Sequence, residues 1–300
     1  MPGTTTKTQL NKNLIILHFT VFIWGFTGIL GKLIHVQSVY LVWYRVLIAL
    51  VTLYAYFKFN GNNYKVTRNL FLKLFFIGAL VGGHWILFFQ AIKSSTVSVT
   101  LVCLSSITLF TAIFEPLLSK KKISKLEILA GLFIISGILI IFKFETQYTL
   151  GIVLGLLSAT FASLFSIFNS KLVKHSDAPV IAFYELLGAV VWISIYLLFT
   201  GGFNASMRLV PADIGYLVIL GTVCTSLAYV AGVSVMKEFS AFRVALITNL
   251  EPVYGIIMAF LFFGEMDKMT AGFWVGAIIL LSTIFLFPVA KTRLAARKAT

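Results

Sequence analysis

Ten apolar segments, each about 20 residues long, follow one another from Leu14 to Val289 with short polar connections between them, and each is long enough to cross a hydrocarbon core of about 30 Å as a helix. Their bounds are close to 14–34, 39–59, 70–92, 97–118, 126–144, 149–172, 178–200, 212–236, 243–263 and 270–290. The chain has 300 residues, of which 59% are hydrophobic and 11% charged, whereas soluble domains carry about 25% charged residues. A soluble fold could not cover so much apolar surface. The expected class is an all-α integral membrane protein with ten transmembrane helices.

Lys7 and Lys12 precede the first segment as a basic leader would. The apolar run 14–34 nevertheless exceeds the ~7–15 residues of a signal-peptide core, and no small-residue cleavage site follows it. It reads as a retained span behind a short disordered tail, residues 1–13. The net charge of +14 would suggest nucleic acid in a soluble protein, but its distribution says otherwise. Starting the chain in the cytoplasm, only Lys32, Lys93, Lys143, Arg208 and Lys268 fall on the opposite side, and Arg45 falls inside a span. The rest of the 24 Lys and Arg residues lie on the side that carries both ends, including the basic tail 291–300. This is the charge bias of cytoplasmic loops. Both termini are therefore expected in the cytoplasm and the protein in the plasma (cytoplasmic) membrane, with the bilayer and not nucleic acid as its partner. Cys103 and Cys224 lie inside apolar spans without a CxxC or histidine partner, so they read as packing residues.

The two halves resemble each other weakly. Phe22, Phe26, Lys32 and Leu33 fall opposite Phe161, Phe165, Lys171 and Leu172 at an offset of 139, and Val42 to Arg45 opposite Ala182 to Glu185 at 140. Trp85 and Lys93 match Tyr229 and Lys237 at 144, and Gly131 matches Gly276 at 145. The expected domains are two five-helix repeats, 14–144 and 149–290. Because five is odd, the second copy enters the membrane from the other side. An inverted repeat offers two nearly equivalent packings, one open to each side, which is the physical basis of alternating access.

These residues carry a family resemblance. Trp24-Gly25, Arg45, the stretch Tyr229 to Ser240, Leu250-Glu251-Pro252, Phe263-Gly264-Glu265, Gly272 and Gly276 resemble, in order and spacing, the EamA-type members of the drug/metabolite transporter superfamily. The resemblance spans about Leu14 to Pro288. It implies two five-helix domains and export of amino acids or related small metabolites, proton-coupled in some members and facilitative in others. The first half departs from the pattern. Ser119-Lys120 stands where the second has Gly264-Glu265, leading into Lys120-Lys121-Lys122, and Glu251 aligns near Ile107 and not with Glu115-Pro116. On this alignment the Glu251-Pro252 feature has no counterpart.

Ionisable side chains deep in a bilayer cost several kcal/mol unless paired or wet. Arg45, Glu115, Glu185 and Glu251 therefore stand out. Arg45 and its repeat mate Glu185 should lie about 15 Å apart along the membrane normal at 1.5 Å per residue, too far to pair directly. Arg45 is a candidate for a substrate carboxylate or a gate, against snorkelling to headgroups. Glu251 falls about 12 Å into its span. Pro252 removes a helical N–H beside it and loosens the backbone near Thr248 and Asn249, which makes Glu251 and Asn249 a candidate substrate or proton site and Pro252 a candidate hinge. Glu115 reads as a solvated or Lys-paired group. Trp24, Tyr44, His84, Trp85, Gln90, Tyr184 and Tyr229 could complete a cavity, with His84 as a possible relay or a helix-interface histidine. Trp43 and Trp192 read as interface anchors. Gly25, Gly28 and Gly31 leave a small face on the first span, while Gly131, Gly137, Gly272 and Gly276 fit intrachain packing or a dimer seam equally.

No Walker A loop, HExxH, GxSxG or CxxC pattern occurs, so no cofactor, metal or catalytic set is expected. The leading reading is a secondary transporter for a small-molecule substrate. A lipid-modifying enzyme using Glu251 with His84, and a channel or non-transporting scaffold, are the alternatives.

Overall fold

A computed structural model of the chain describes residues 7–119, 125–264 and 269–297. Every regular element among them is helical. The ten spans are α1 (Lys7–Leu33), α2 (Ser38–Asn60), α3 (Arg68–Ser94), α4 (Val97–Leu118), α5 (Lys125–Phe144), α6 (Thr149–Leu172), α7 (Ala178–Phe199), α8 (Pro211–Lys237), α9 (Ala241–Phe263) and α10 (Ala271–Arg297). Eight of these are long and apolar enough to cross a membrane, and α5 and α10 add shorter apolar stretches, Leu129–Phe144 and Ala271–Phe287. Helix is the answer to a solvent that offers backbone groups no hydrogen bonds. The ends are set locally. Thr67, Thr96 and Ser240 accept from the amides of Leu70, Val99 and Arg243 as N-caps, and Gly61 ends α2 at φ 63°, a left-handed turn open to glycine.

The expected tail 1–13 is corrected in part. Residues 7–13 already belong to α1, because each residue added to a formed helix gains a hydrogen bond at little further cost. Residues 1–6, Lys120-Lys121-Lys122, Glu265, Lys268 and residues 298–300 lie outside the described residues. Three spans are irregular. α4 breaks at Ser105-Ser106 between Val97–Leu104 and Ile107–Leu118, and α9 at Asn249-Leu250 between Ala241–Thr248 and Glu251–Phe263. α8 contains one turn of π-helix, Thr222–Leu227.

Packing follows an inverted pseudo-twofold. α3 lies on α6 and α7 as α8 lies on α1 and α2, while α2 meets α7, α4 meets α9 and α5 meets α10. The likeness reaches single atoms. A Cβ at Gly78 would collide with the Glu185 carbonyl oxygen, and one at Gly221 would sit 3.1 Å from that of its repeat mate, Arg45. The glycines on α1 take α9, α4 and α3 in turn against Gly25, Gly28 and Gly31. On α5 and α10, Gly137 and Gly276 face each other's carbonyls at 2.9 and 2.7 Å from the Cβ position, Gly131 faces Leu109 and Gly272 faces Phe144. All four serve packing within the chain.

Gly78→Ala should therefore destabilise the detergent-solubilised protein by about 1–3 kcal/mol through overpacking. Gly215→Ala, where nothing stands within 4 Å of the added Cβ, should be neutral or stabilising by up to about 1 kcal/mol. Paired thermal unfolding curves check the difference.

Candidate substrate cavity

The site begins with the two broken helices. In α9 the ring of Pro252 clashes with the carbonyl four residues back, that of Thr248, and supplies no N–H, and the first half of the helix ends at Thr248. In α4 no proline stands at the break, Pro116 lying ten residues beyond it. Ser105 and Ser106 instead turn their hydroxyls onto the carbonyls of Val102 (2.6 Å) and Cys103 (2.7 Å), tightening the backbone to three-residue spacing. Ser105-Ser106 aligns with Asn249-Leu250 at the repeat offset of 144. The Glu251-Pro252 break thus has a backbone counterpart after all, correcting the sequence expectation. The two breaks are tied together where Asn249 Nδ2 donates to Thr108 Oγ1.

Beside the breaks lies a cavity with about 790 Å3 of atom-free space, the open solvent at its mouth included. Leu104, Ile107, Thr248 and Glu251 line it from the breaks, Trp24 and Thr27 from α1, His84, Trp85 and Phe88 from α3, Phe165, Ser166 and Asn169 from α6, and Tyr229, Gly232, Val233 and Met236 from α8. Along their spans most of these residues sit between the midplane and the end that carries both termini.

Arg45 forms the deeper wall. It is 1% exposed, and its Nε donates to Thr225 Oγ1 at 2.5 Å and Nη2 to the Cys224 carbonyl at 3.4 Å. Both acceptors lie in the π turn of α8, which frees backbone groups that a regular helix would engage. The guanidinium stacks 4.3 Å from the Trp85 ring centroid and 5.4 Å from that of Phe89, while Nη1 finds no partner among the described residues. Burial of this kind is not snorkelling. Glu251, 5% exposed, lines the same cavity as Arg45. Its position in the first turn of a half-helix favours a negative charge.

Glu185 sits one layer behind the wall. Its Oε2 accepts from Tyr229 Oη at 2.7 Å and from Asn169 Nδ2 at 3.2 Å, and Asn169 also donates to Tyr229 Oη at 3.1 Å. Arg45 and Glu185 do not pair directly. They are bridged through their neighbours' rings, Trp85 and Tyr229, whose centroids are 5.8 Å apart. Those two rings are themselves repeat mates. His84 is held in an interface, its Nδ1 3.0 Å from the Ser158 carbonyl and 2.8 Å from Ser158 Oγ.

Other expected members lie elsewhere. Tyr44 donates to the Met207 carbonyl in the α7–α8 connection at 3.1 Å, Tyr184 packs edge-on against Phe71 and Phe183, and Gln90 is exposed, bonding Ser94. Trp43 and Trp192 tie α2 to α7 and α7 to α3 through Ser194 Oγ and the Phe75 carbonyl. Glu115 caps α9, accepting from the Phe242 amide at 3.2 Å. The sequence reading passed over Glu145, which is fully buried and accepts from the Thr270 amide (2.9 Å) and hydroxyl (2.7 Å) at the start of α10. It also passed over Asn169 and Thr225. The one available signal for Asn169 was an amide inside an apolar span; Thr225 gave none.

Comparison with known proteins agrees with this architecture. The sequence pattern of the EamA-like transporter family matches residues 12–143 and again 149–288. An Archaeoglobus fulgidus protein described as an uncharacterized transporter is 25% identical over 289 residues, covering 92% of this chain and 97% of the relative. A solved structure described only as a crystal structure of a protein superposes with a TM-score of 0.69 at 13% identity, covering 93% of this chain and 98% of that one, a likeness of fold.

Tyr229→Phe should cost about 1–3 kcal/mol, because it takes a donor from a buried carboxylate. Tyr44→Phe, which removes one half-buried hydrogen bond, should cost about 0.5–1.5 kcal/mol. Denaturation in detergent measures both, and equal costs would mean that Glu185 does not depend on Tyr229.

Proposed function

The chain belongs to the EamA-like transporter family, a multi-pass membrane transporter by that membership, and from this premise we propose that it exports amino acids or related small metabolites by alternating access. The observation that carries the reading is one cavity lined by two groups of opposite type, the Arg45 guanidinium, whose Nη1 has no partner among the described residues, and the Glu251 carboxyl group, among aromatic walls. A zwitterion offers a carboxylate to the first and an ammonium to the second, and its body lies against Trp24, Trp85 and Phe165. The planar donor fork of Arg45 suits a carboxylate. Glu251 has no hydrogen-bond partner among the described residues, which leaves it able to exchange a proton for the substrate ammonium. Proton coupling would then run through that exchange.

The repeats 14–144 and 149–290 are the two bodies that rock about the cavity, with Pro252 as the hinge on one side. The charge bias supports termini in the cytoplasm, and so a cavity that loads from within a cell and a place in the plasma membrane.

Counterflow in proteoliposomes tests the reading. Labelled amino acid should accumulate transiently against preloaded unlabelled substrate, which neither a channel nor an enzyme produces, and absence of counterflow across a broad metabolite panel would overturn it. Glu251→Gln should lower flux about tenfold or more, the size of one lost charge-assisted hydrogen bond, with the protein still folded in the membrane. Flux at the parental level would remove Glu251 from the mechanism. An imposed pH gradient should change the rate; indifference to it would leave facilitated diffusion.

A further inference from the structure

At the end of the molecule opposite the termini, the α1–α2 turn is fastened down. Lys93, in the last turn of α3, donates through Nζ to the Ile34 carbonyl at 3.0 Å and to the Val36 carbonyl. These are the terminal carbonyls of α1 and its turn, which no intrahelical N–H reaches. In the same turn the His35 amide donates to Asp213 Oδ1 at 3.2 Å, and His35 Nδ1 lies 3.0 Å from that oxygen. Asp213, in the first turn of α8, is fully buried. The turn is thus held to α3 and α8 at once.

The repeat places the same set at the other end. Lys237 matches Lys93 and Asn69 matches Asp213 at an offset of 144. His175 matches His35 at 140, and Asp177 matches Gln37, each preceding the first residue of its helix, α7 and α2. There the set is loose. Among the described residues Lys237 reaches only Asp177 Oδ1, at 3.3 Å, with both side chains exposed (49% and 78%), and an open space lies between Lys237 and the turn 173–177. His175 is exposed, as His35 is, but it has no buried carboxylate beside it among the described residues, and Asn69 is exposed where Asp213 is buried. The cavity lies toward this end, and the fastened turn lies at the other.

We propose that Lys93 and Lys237 are gating residues, one latch used twice, and that the state open to the opposite side is reached when Lys93 releases the α1–α2 turn and Lys237 leaves Asp177. In that state Lys237 takes the carbonyls of Lys174 and Ser176, the mates of Ile34 and Val36. The two latches are unequal, because Asn69 cannot supply the charge that Asp213 gives to His35. The latch with the buried carboxylate is the stronger, and it is the one closed here. The proposal rests on the alternating-access reading.

The test is the sidedness of a cavity probe. A Ser166→Cys chain is exposed to a membrane-impermeant maleimide in sealed vesicles of each orientation, with the unsubstituted chain reporting the background of the buried Cys103 and Cys224. Protection of a C-terminal tag identifies the termini side. Lys93→Met should raise labelling from the opposite side, relative to the termini side, about tenfold, and Lys237→Met should lower it by about as much, each losing a charge-assisted donor. Lys93→Arg and Lys237→Arg, which keep charge and donors, should shift the ratio in neither direction. A merely structural role would move both methionine variants the same way. That result, or an unchanged ratio in a protein labelled from both sides, overturns the latch and leaves the carrier standing. Labelling from one side alone in every variant overturns both.

Discussion

Hydrocarbon offers a backbone amide or carbonyl no partner, and the rest of this structure depends on that constraint. It explains why every regular element described is a helix, and it limits where helices can be interrupted. The interruptions occur where neighbouring side chains supply what the helix gives up. Ser105 and Ser106 return hydroxyls to the carbonyls of α4, Asn249 ties the break in α9 to Thr108, and the π turn of α8 presents Cys224 and Thr225 to a cation. Each interruption lies against the cavity or one residue behind it. Irregular backbone and a binding site share the same requirement, polar groups turned inward and shielded from lipid.

The inverted repeat organises these groups without making them alike. Arg45 and Glu185 occupy equivalent positions, each beside an aromatic residue of the neighbouring helix, yet one is basic and faces the cavity while the other is acidic and buried behind Asn169 and Tyr229. The backbone keeps the twofold because helix crossings such as Gly78 against Glu185 and Gly221 against Arg45 are steric. Side-chain chemistry is under no such restraint. A carrier needs two packings of similar energy, which a shared backbone provides, and a substrate polarity, which an asymmetric lining provides.

Turns at the two ends show the same division. The α1–α2 and α6–α7 turns have matching lysines and histidines around them, exposed in both, but one set is bonded to turn carbonyls and to the buried Asp213 while the lysine of the other meets only the exposed Asp177 among the described residues. Equivalent residues in different states of contact are what the proposed alternation between two symmetry-related packings requires. Polar contacts such as these contribute only modestly each, so exchanging one set for the other need not carry a large energy difference.

The amino-acid sequence by itself determined the spans, their order and the inversion of one half against the other. Apolar length, charge alternation and residue offsets are one-dimensional quantities that bilayer thickness and topology read directly. It also marked Arg45, Glu185 and Glu251 as buried ionisable groups and Pro252 as a break, since cost in lipid and the missing proline N–H are properties of single residues. Only the tertiary structure decided that Tyr229 and Asn169 hold Glu185, that Arg45 rests on Trp85 and a π turn, that Tyr44 and Tyr184 stand away from the cavity, and that Ser105-Ser106 breaks α4 opposite Asn249. Which side chains meet depends on helix rotation and crossing, set by packing among ten helices at once, and no local pattern in the chain encodes it.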